Sequence, residues 1–240
     1  MIRDAVAEQF DHDPEFNWRG ESVTRLENLS DIVFALALGM LVSSTQPPVS
    51  YSQLLGFLPS IVPVSAAFIV LLTIWHSHFT YFRRYGIGDR KTIILNAILL
   101  FLVLFLAYPM RYVFDSLFAF VLSQFGYIER AISLEAYGHN AAGIMGIYAV
   151  GYGATQLVLF LMFQHAISKT NNLDLSAREM ILSKKSAHGL LTQVLLSVFV
   201  IMGALMTTLG AFSGFFWFLA WPVSIWTNRI ASRRLKRIED

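Results

Sequence analysis

Six stretches of this sequence run with almost no charge for roughly the length of a bilayer's hydrocarbon core, and that constrains the fold more than any single motif. A helix rises about 1.5 Å per residue, so about 20 apolar residues are enough to cross. The stretches are Leu29 to Thr45, Leu54 to Tyr81, Thr92 to Phe120, Ala141 to Ile167, Leu190 to Leu209 and Phe212 to Trp226. They predict an all-α integral membrane bundle of six transmembrane helices, forming one domain over residues 1–240. The mean hydropathy of +0.56 supports this, because a water-soluble domain of this length seldom reaches it. The sixth run is the shortest, and "GAFSG", Gly210 to Gly214, reads as the tight turn that separates it from the fifth. Some 25 polar residues precede the first run, and no small-residue cleavage pattern follows it, so no cleaved signal peptide is expected.

The basic residues test the helix count independently, because cytoplasmic loops hold the excess of Lys and Arg. With six crossings, 16 of the 18 fall on one side of the membrane, in the N-terminal segment, two loops and the C-terminal tail; only Arg111 and Arg130 fall on the other. Both termini are therefore expected in the cytoplasm. A five-span chain would put the basic tail outside. The net charge of +2 is spread over helix ends and forms no single basic patch, which argues against a nucleic-acid partner. With no cysteine there is no disulfide framework, thiolate metal site or cysteine nucleophile. Trp217, Trp221 and Trp226 fit an interfacial belt, and the bilayer is the expected environment of the whole chain.

The first run, "RLENLSDIVFALALGMLV", begins with charge and then has none. On a helix Arg25, Asn28 or Leu29, Ile32, Leu36, Gly39 or Met40, and Ser43 form one stripe, apolar until its far end. Asp31 lies about 100° from Ile32 and points off that stripe toward neighbouring helices. A carboxylate at a membrane boundary needs partners. Candidates lie at the same expected depth in "TIWHSHFTYFRR" and "DRKTIILNAILL": the Trp75 indole, the His78 ring and the Asn96 amide. Ser30 also fits a helix cap, and Arg25 fits a side chain snorkelling to the headgroups. His76 and His78 diverge by about 200° on a helix and cannot share a metal, so no fixed metal site is expected. No serine, histidine and acid set, carboxylate pair or phosphate loop points to an enzyme.

Arg25 followed after three residues by "LSD" and "IVFALALGMLV" resembles the R-x-x-x-F-S-D signature that opens the first span of the transmembrane-protein-175 family of potassium channels. Trp75, His78 and Phe82, then Asp89, then "LNAILLF" with Asn96, and Tyr108-Pro109 resemble the second and third spans of its bacterial members in order and spacing. The likeness is strong over residues 22–110 and afterwards rests on span count.

The resemblance implies a homotetramer in a bacterial inner membrane, with the first span of each subunit lining a central pore that passes potassium ions transiently and needs no cofactor. Carried over by position, Leu36 stands at the narrowest point, with Gly39, Met40 and Ser43 further along the pore. Arg25, Ser30, Asp31, Trp75, His78 and Asn96 correspond to a polar cluster that holds the first span. Two positions depart from the pattern: Leu29 replaces the signature phenylalanine, and Gly39 stands where a pore threonine is frequent, which removes a hydroxyl associated with potassium preference. Two other classes fit the bare residues. One is a secondary transporter coupled to protons through His78 and Asp31, although no inverted repeat or paired broken helices are found. The other is a non-conducting membrane scaffold in which the apolar stripe is a packing seam.

Overall fold

The computed structural model describes residues 16–20, 22–43, 47–206 and 210–239, and all regular structure among them is helical. The order is α1 (Arg25–Ser43), α2 (Tyr51–Phe57), a 3-10 turn (Leu58–Ser60), α3 (Ile61–Tyr85), α4 (Arg90–Ser123), α5 (Ile128–Ser133), α6 (Gly138–Ser168), α7 (Thr170–Leu173) and α8 (Ala177–Leu205). A 3-10 segment (Gly210–Leu219) then leads into α9 (Ala220–Glu239). Five helical stretches are long and apolar enough to cross a membrane: α1, α2 through α3 taken together, α4, α6 and α8. They coincide with the first five runs read from the sequence. The sixth run falls on the 3-10 segment and the start of α9. The stretch "GAFSG", expected as a tight turn, is itself 3-10 helical, with Gly210 at φ +47°.

Local chemistry explains the boundaries. Thr24 and Glu27 form a reciprocal cap on α1: the Thr24 hydroxyl accepts from Glu27 N at 3.2 Å, and the Glu27 carboxylate accepts from Thr24 N at 3.0 Å. Asp89 caps α4 by accepting from Thr92 N at 2.9 Å. Ser176 and Glu179 form a capping box on α8. Pro59 sits in the 3-10 turn between α2 and α3, where its missing N–H and ring favour the tighter geometry over a straight α-helix. At the C-terminus of α3, Gly86 takes φ +58°, and a side chain there would also meet the Arg19 carbonyl at 2.8 Å. Only glycine fits both demands.

The helices form a row. α1 packs on α3 and α4, α4 on α6, and α6 on α8; the 3-10 segment covers α6 and α8, and α9 lies along α8. The core between them holds Tyr81, Phe82, Tyr85, Leu99, Met110, Leu159, Met162 and Phe163. α4 has 34 residues, about 51 Å at an α-helical rise, so it outruns a hydrocarbon core of about 30 Å and carries its last turns beyond it. Because α1 stands at one end of the row, only one of its faces meets the rest of the subunit.

Candidate functional site

α1 buries Glu27, Ser30, Phe34, Ala37 and Leu41, a series three or four residues apart that presents one face to α3 and α4. Its opposite face is uncovered: Leu29 is 53% exposed, Ile32 66% and Leu36 54%, whereas Ala37 and Leu41 are at 0%. Gly39 and Ser43 share the open face, Met40 lies at its margin, and a side chain at Gly39 would meet nothing within 4 Å. The stripe from Leu29 through Leu36 to Ser43 is therefore not packed against the subunit's own helices.

A chain of hydrogen bonds holds the buried face. The oxygen of the Asn96 amide can only accept, so the His78 Nε2–H donates to it at 2.9 Å. The Asn96 Nδ2 donates to the Ser30 hydroxyl at 2.9 Å, and Ser30 donates to the Leu26 carbonyl at 2.8 Å. One side chain each from α3, α4 and α1 is thus satisfied in a single direction, and all three are buried. The Phe34 ring packs beside His78 at 5.5 Å between centroids and closes the network from water. Lipid tails are as apolar as leucine, so packing and such bonds, more than hydrophobic burial, locate α1 against its neighbours.

Asp31 is held separately. The Trp75 Nε1–H donates to its Oδ1 at 3.0 Å near the edge of the open face, and Trp75 stacks on Phe79 at 5.5 Å. The expected cluster is therefore two units: Ser30, Asn96 and His78 inside, and Asp31 with Trp75 at the margin. Arg25 is exposed and joins neither unit through a hydrogen bond or ion pair among the described residues.

Sequence reasoning missed two anchors. Arg111, read there only as a basic residue on the far side of the membrane, is buried within α4; it donates to the Val42 carbonyl at 3.5 Å and to the Ser60 hydroxyl at 3.3 Å. A cation at the C-terminal end of α1 complements its dipole. A signal was present in the apolar run Thr92 to Phe120, which continues past Arg111.

At the other end, Asp89 accepts from Lys169 Nζ at 2.7 Å and from His165 Nε2 at 2.8 Å, tying the loop after α3 to α6. Burial works to raise the Asp89 carboxyl, but the Lys169 ammonium, the Thr92 amide and hydroxyl, and His165 together hold it well below the usual carboxylate range. The segment before α1 is strapped to the same end: Gly20 N donates to the Arg83 carbonyl at 3.1 Å, and Arg19 meets Glu179 of α8 at 2.8 Å.

These features define an α-helical multi-pass membrane protein whose first helix is pinned on one side and open on the other. The family model for the endosomal/lysosomal potassium channel TMEM175 matches residues 25–106, which hold α1, α3 and the first half of α4. A protein of Marivirga tractuosa named potassium channel is 35% identical over 234 residues, covering 94% of each chain. A crystal structure of a variant of the potassium channel MtTMEM175, in complex with a nanobody–MBP fusion protein, superposes with a TM-score of 0.80 at 32% identity, covering 92% of this chain and 99% of that one. The chain belongs to the TMEM175 family of potassium channels.

Proposed function

We propose that this protein is a potassium-permeable channel through which ions flow passively, assembled as a homotetramer with α1 of each subunit lining a central pore. The observation that carries this reading is the uncovered face of α1, with Ile32 66% and Leu36 54% exposed on a helix whose other side is fully packed. Four such faces around one axis enclose a path without a carbonyl-lined filter loop. Leu36 forms the constriction: four leucine side chains meeting on the axis hold the space dry when close and admit water and ions when the helices part. Gly39, Met40 and Ser43 line the pore beyond it. Gly39 adds no hydroxyl, so discrimination among cations rests on the width and dryness of the constriction.

The inward network of Ser30, His78 and Asn96 keeps α1 in register, while Asp31, Trp75 and Arg25 sit where a neighbouring subunit approaches. Six crossings place both termini in the cytoplasm of a bacterial inner membrane. A 3-10 helix rises about 2.0 Å per residue, so Gly210–Leu219 spans roughly 20 Å, and the apolar start of α9 adds about 10 Å. Together they reach the thickness of the hydrocarbon core, so a run short for an α-helix suffices for a sixth crossing.

The test is current across a bilayer containing the purified protein, with potassium on one side and sodium on the other. A reversal potential displaced toward that of potassium, in steps and indifferent to a proton gradient, is expected. Silence in the bilayer, or flux that requires a proton gradient, overturns the proposal.

A further inference from the structure

Residues 16–20, just ahead of α1, dock across the end of the bundle where Asp89 meets Lys169, and their contacts tie three elements together. Their backbone lies directly on the C-terminus of α3. The amides of Arg19 and Gly20 both donate to the Arg83 carbonyl, at 3.2 and 3.1 Å, and the Arg83 guanidinium donates back to the Gly20 carbonyl at 2.9 Å. The Arg83 carbonyl belongs to the last turn of α3 and has no partner within that helix, so the strap supplies what the helix cannot. A side chain at Gly20 would stand 2.4 Å from the Phe82 carbonyl oxygen, and only glycine allows this approach.

Arg19 carries the strap on to the corner between α7 and α8. Its guanidinium donates to the Leu173 and Asp174 carbonyls at 2.6 and 3.1 Å, and to both oxygens of the Glu179 carboxylate at 2.8 and 3.1 Å. The same carboxylate accepts from the Asn17 amide at 3.1 Å. A bidentate arginine pair of this kind fixes direction as well as distance. Phe16 is buried against the Tyr85 ring at 5.7 Å between centroids.

The strap reaches α1 by two routes. Along the chain, Gly20 stands five residues before Arg25, so the start of α1 is confined to within about 18 Å of it. Through side chains, Trp18 meets Phe79 edge-on at 6.2 Å, Phe79 stacks on Trp75 at 5.5 Å, and Trp75 donates to Asp31 of α1 at 3.0 Å. A helix packed on one face only has few contacts to resist tilting, so restraints near its end weigh heavily. We propose that residues 16–20 are a clamp that sets the position of the first turns of α1, with Arg19 and Gly20 as its positioning residues, and that loosening it changes how often the pore opens. The last part rests on the conduction reading; the clamp itself does not.

Amide hydrogen exchange on the protein in nanodiscs tests the clamp, and single-channel recording tests its link to opening. Arg19→Gln removes the charge and the bidentate pair. Gly20→Ala drives a methyl group against the Phe82 carbonyl and leaves every polar group of the strap in place. Slow exchange is expected over residues 16–20 of the native protein. Each variant is expected to speed it there and over residues 25–31 of α1, with residues 37–43 unchanged, which also shows that the fold is intact. In bilayers both variants are expected to shift the open fraction about fivefold or more, in the same direction, with unitary current and reversal potential as in the native protein. Fast native exchange over residues 16–20, or loosening confined to the strap or spread evenly along α1, overturns the clamp. An unaltered open fraction, opposite shifts in the two variants, or a changed unitary current overturns its link to opening. A native protein that passes no current overturns the conduction reading and that link with it, while the exchange result still decides the clamp.

Discussion

Asn96 and Leu36 show how differently single side chains on this frame act. Asn96 joins three helices by accepting from one and donating to another, and both partners are buried. Asn96→Ala therefore orphans a buried donor on His78, a loss of about 1–3 kcal/mol that exceeds the roughly 0.6 kcal/mol typical of one hydrogen-bonded pair in a membrane protein. A lower unfolding midpoint in detergent checks this, and an unchanged midpoint removes the network from the account of how α1 is held. Leu36 is 54% exposed on the open face of α1, so replacing it costs its own subunit less packing than a buried leucine, and the proposed gate can be tested apart from folding. Leu36→Ala is expected to raise bilayer current and Leu36→Asn to weaken discrimination between potassium and sodium; no change in either eliminates Leu36 as the gate. The polar residues were legible in sequence because each interrupts an apolar run. Trp75 was among the partners legible for Asp31, but the turn of Asn96 and His78 to Ser30 was not, since Ser30 and Asp31 are neighbours about 100° apart, and depth alone does not say which turns inward.

Elements are joined at the basic end by charges that individual helix patterns do not reveal. Asp89 caps α4 and receives His165 of α6 and Lys169 just after it, so one carboxylate fixes the α3–α4 connection against a helix some 76 residues further on. Because its folded-state pKa is depressed, it contributes stability that is fully present above the unfolded value of about 4 and is lost as pH falls through the lower folded value. Asp89→Asn keeps the cap but not the ion pair. The variant is expected to unfold at a lower temperature than the native protein at pH 7, with the gap closing as the pH is taken well below about 4. A gap independent of pH places the contribution elsewhere. The five long helices were readable from length and apolarity. The 3-10 segment was not, because "GAFSG" carries turn residues whose local preference is overridden by packing on α6 and α8. Gly203 and Ser213 show the closeness involved: a side chain at Gly203 would stand 2.8 Å from the Ser213 Cβ.

The molecule as a whole is a row of helices with α1 at one end and one face of α1 uncovered, an arrangement that makes sense if a second copy covers what the first leaves open. Positive residues gathered at helix ends give an expectation for the topology in sequence, but one chain's periodicity cannot specify how many copies surround an axis. The absence of cysteine gives a direct test. Ile32→Cys places a thiol on the open face of α1, and Ala37→Cys places one at a fully buried position, about 140° round the helix from the first. Around a common axis the first thiols approach one another, and oxidation in the membrane links protomers in pairs, since each sulfur forms one bond and four sulfurs form two. Covalent dimers are therefore expected from Ile32→Cys, within an assembly that still runs as a tetramer in mild detergent, and none from Ala37→Cys. Cross-linking at the buried position but not the open one would mean that α1 turns its packed side outward in the assembly, and four helices so oriented could not enclose a path lined by Leu36.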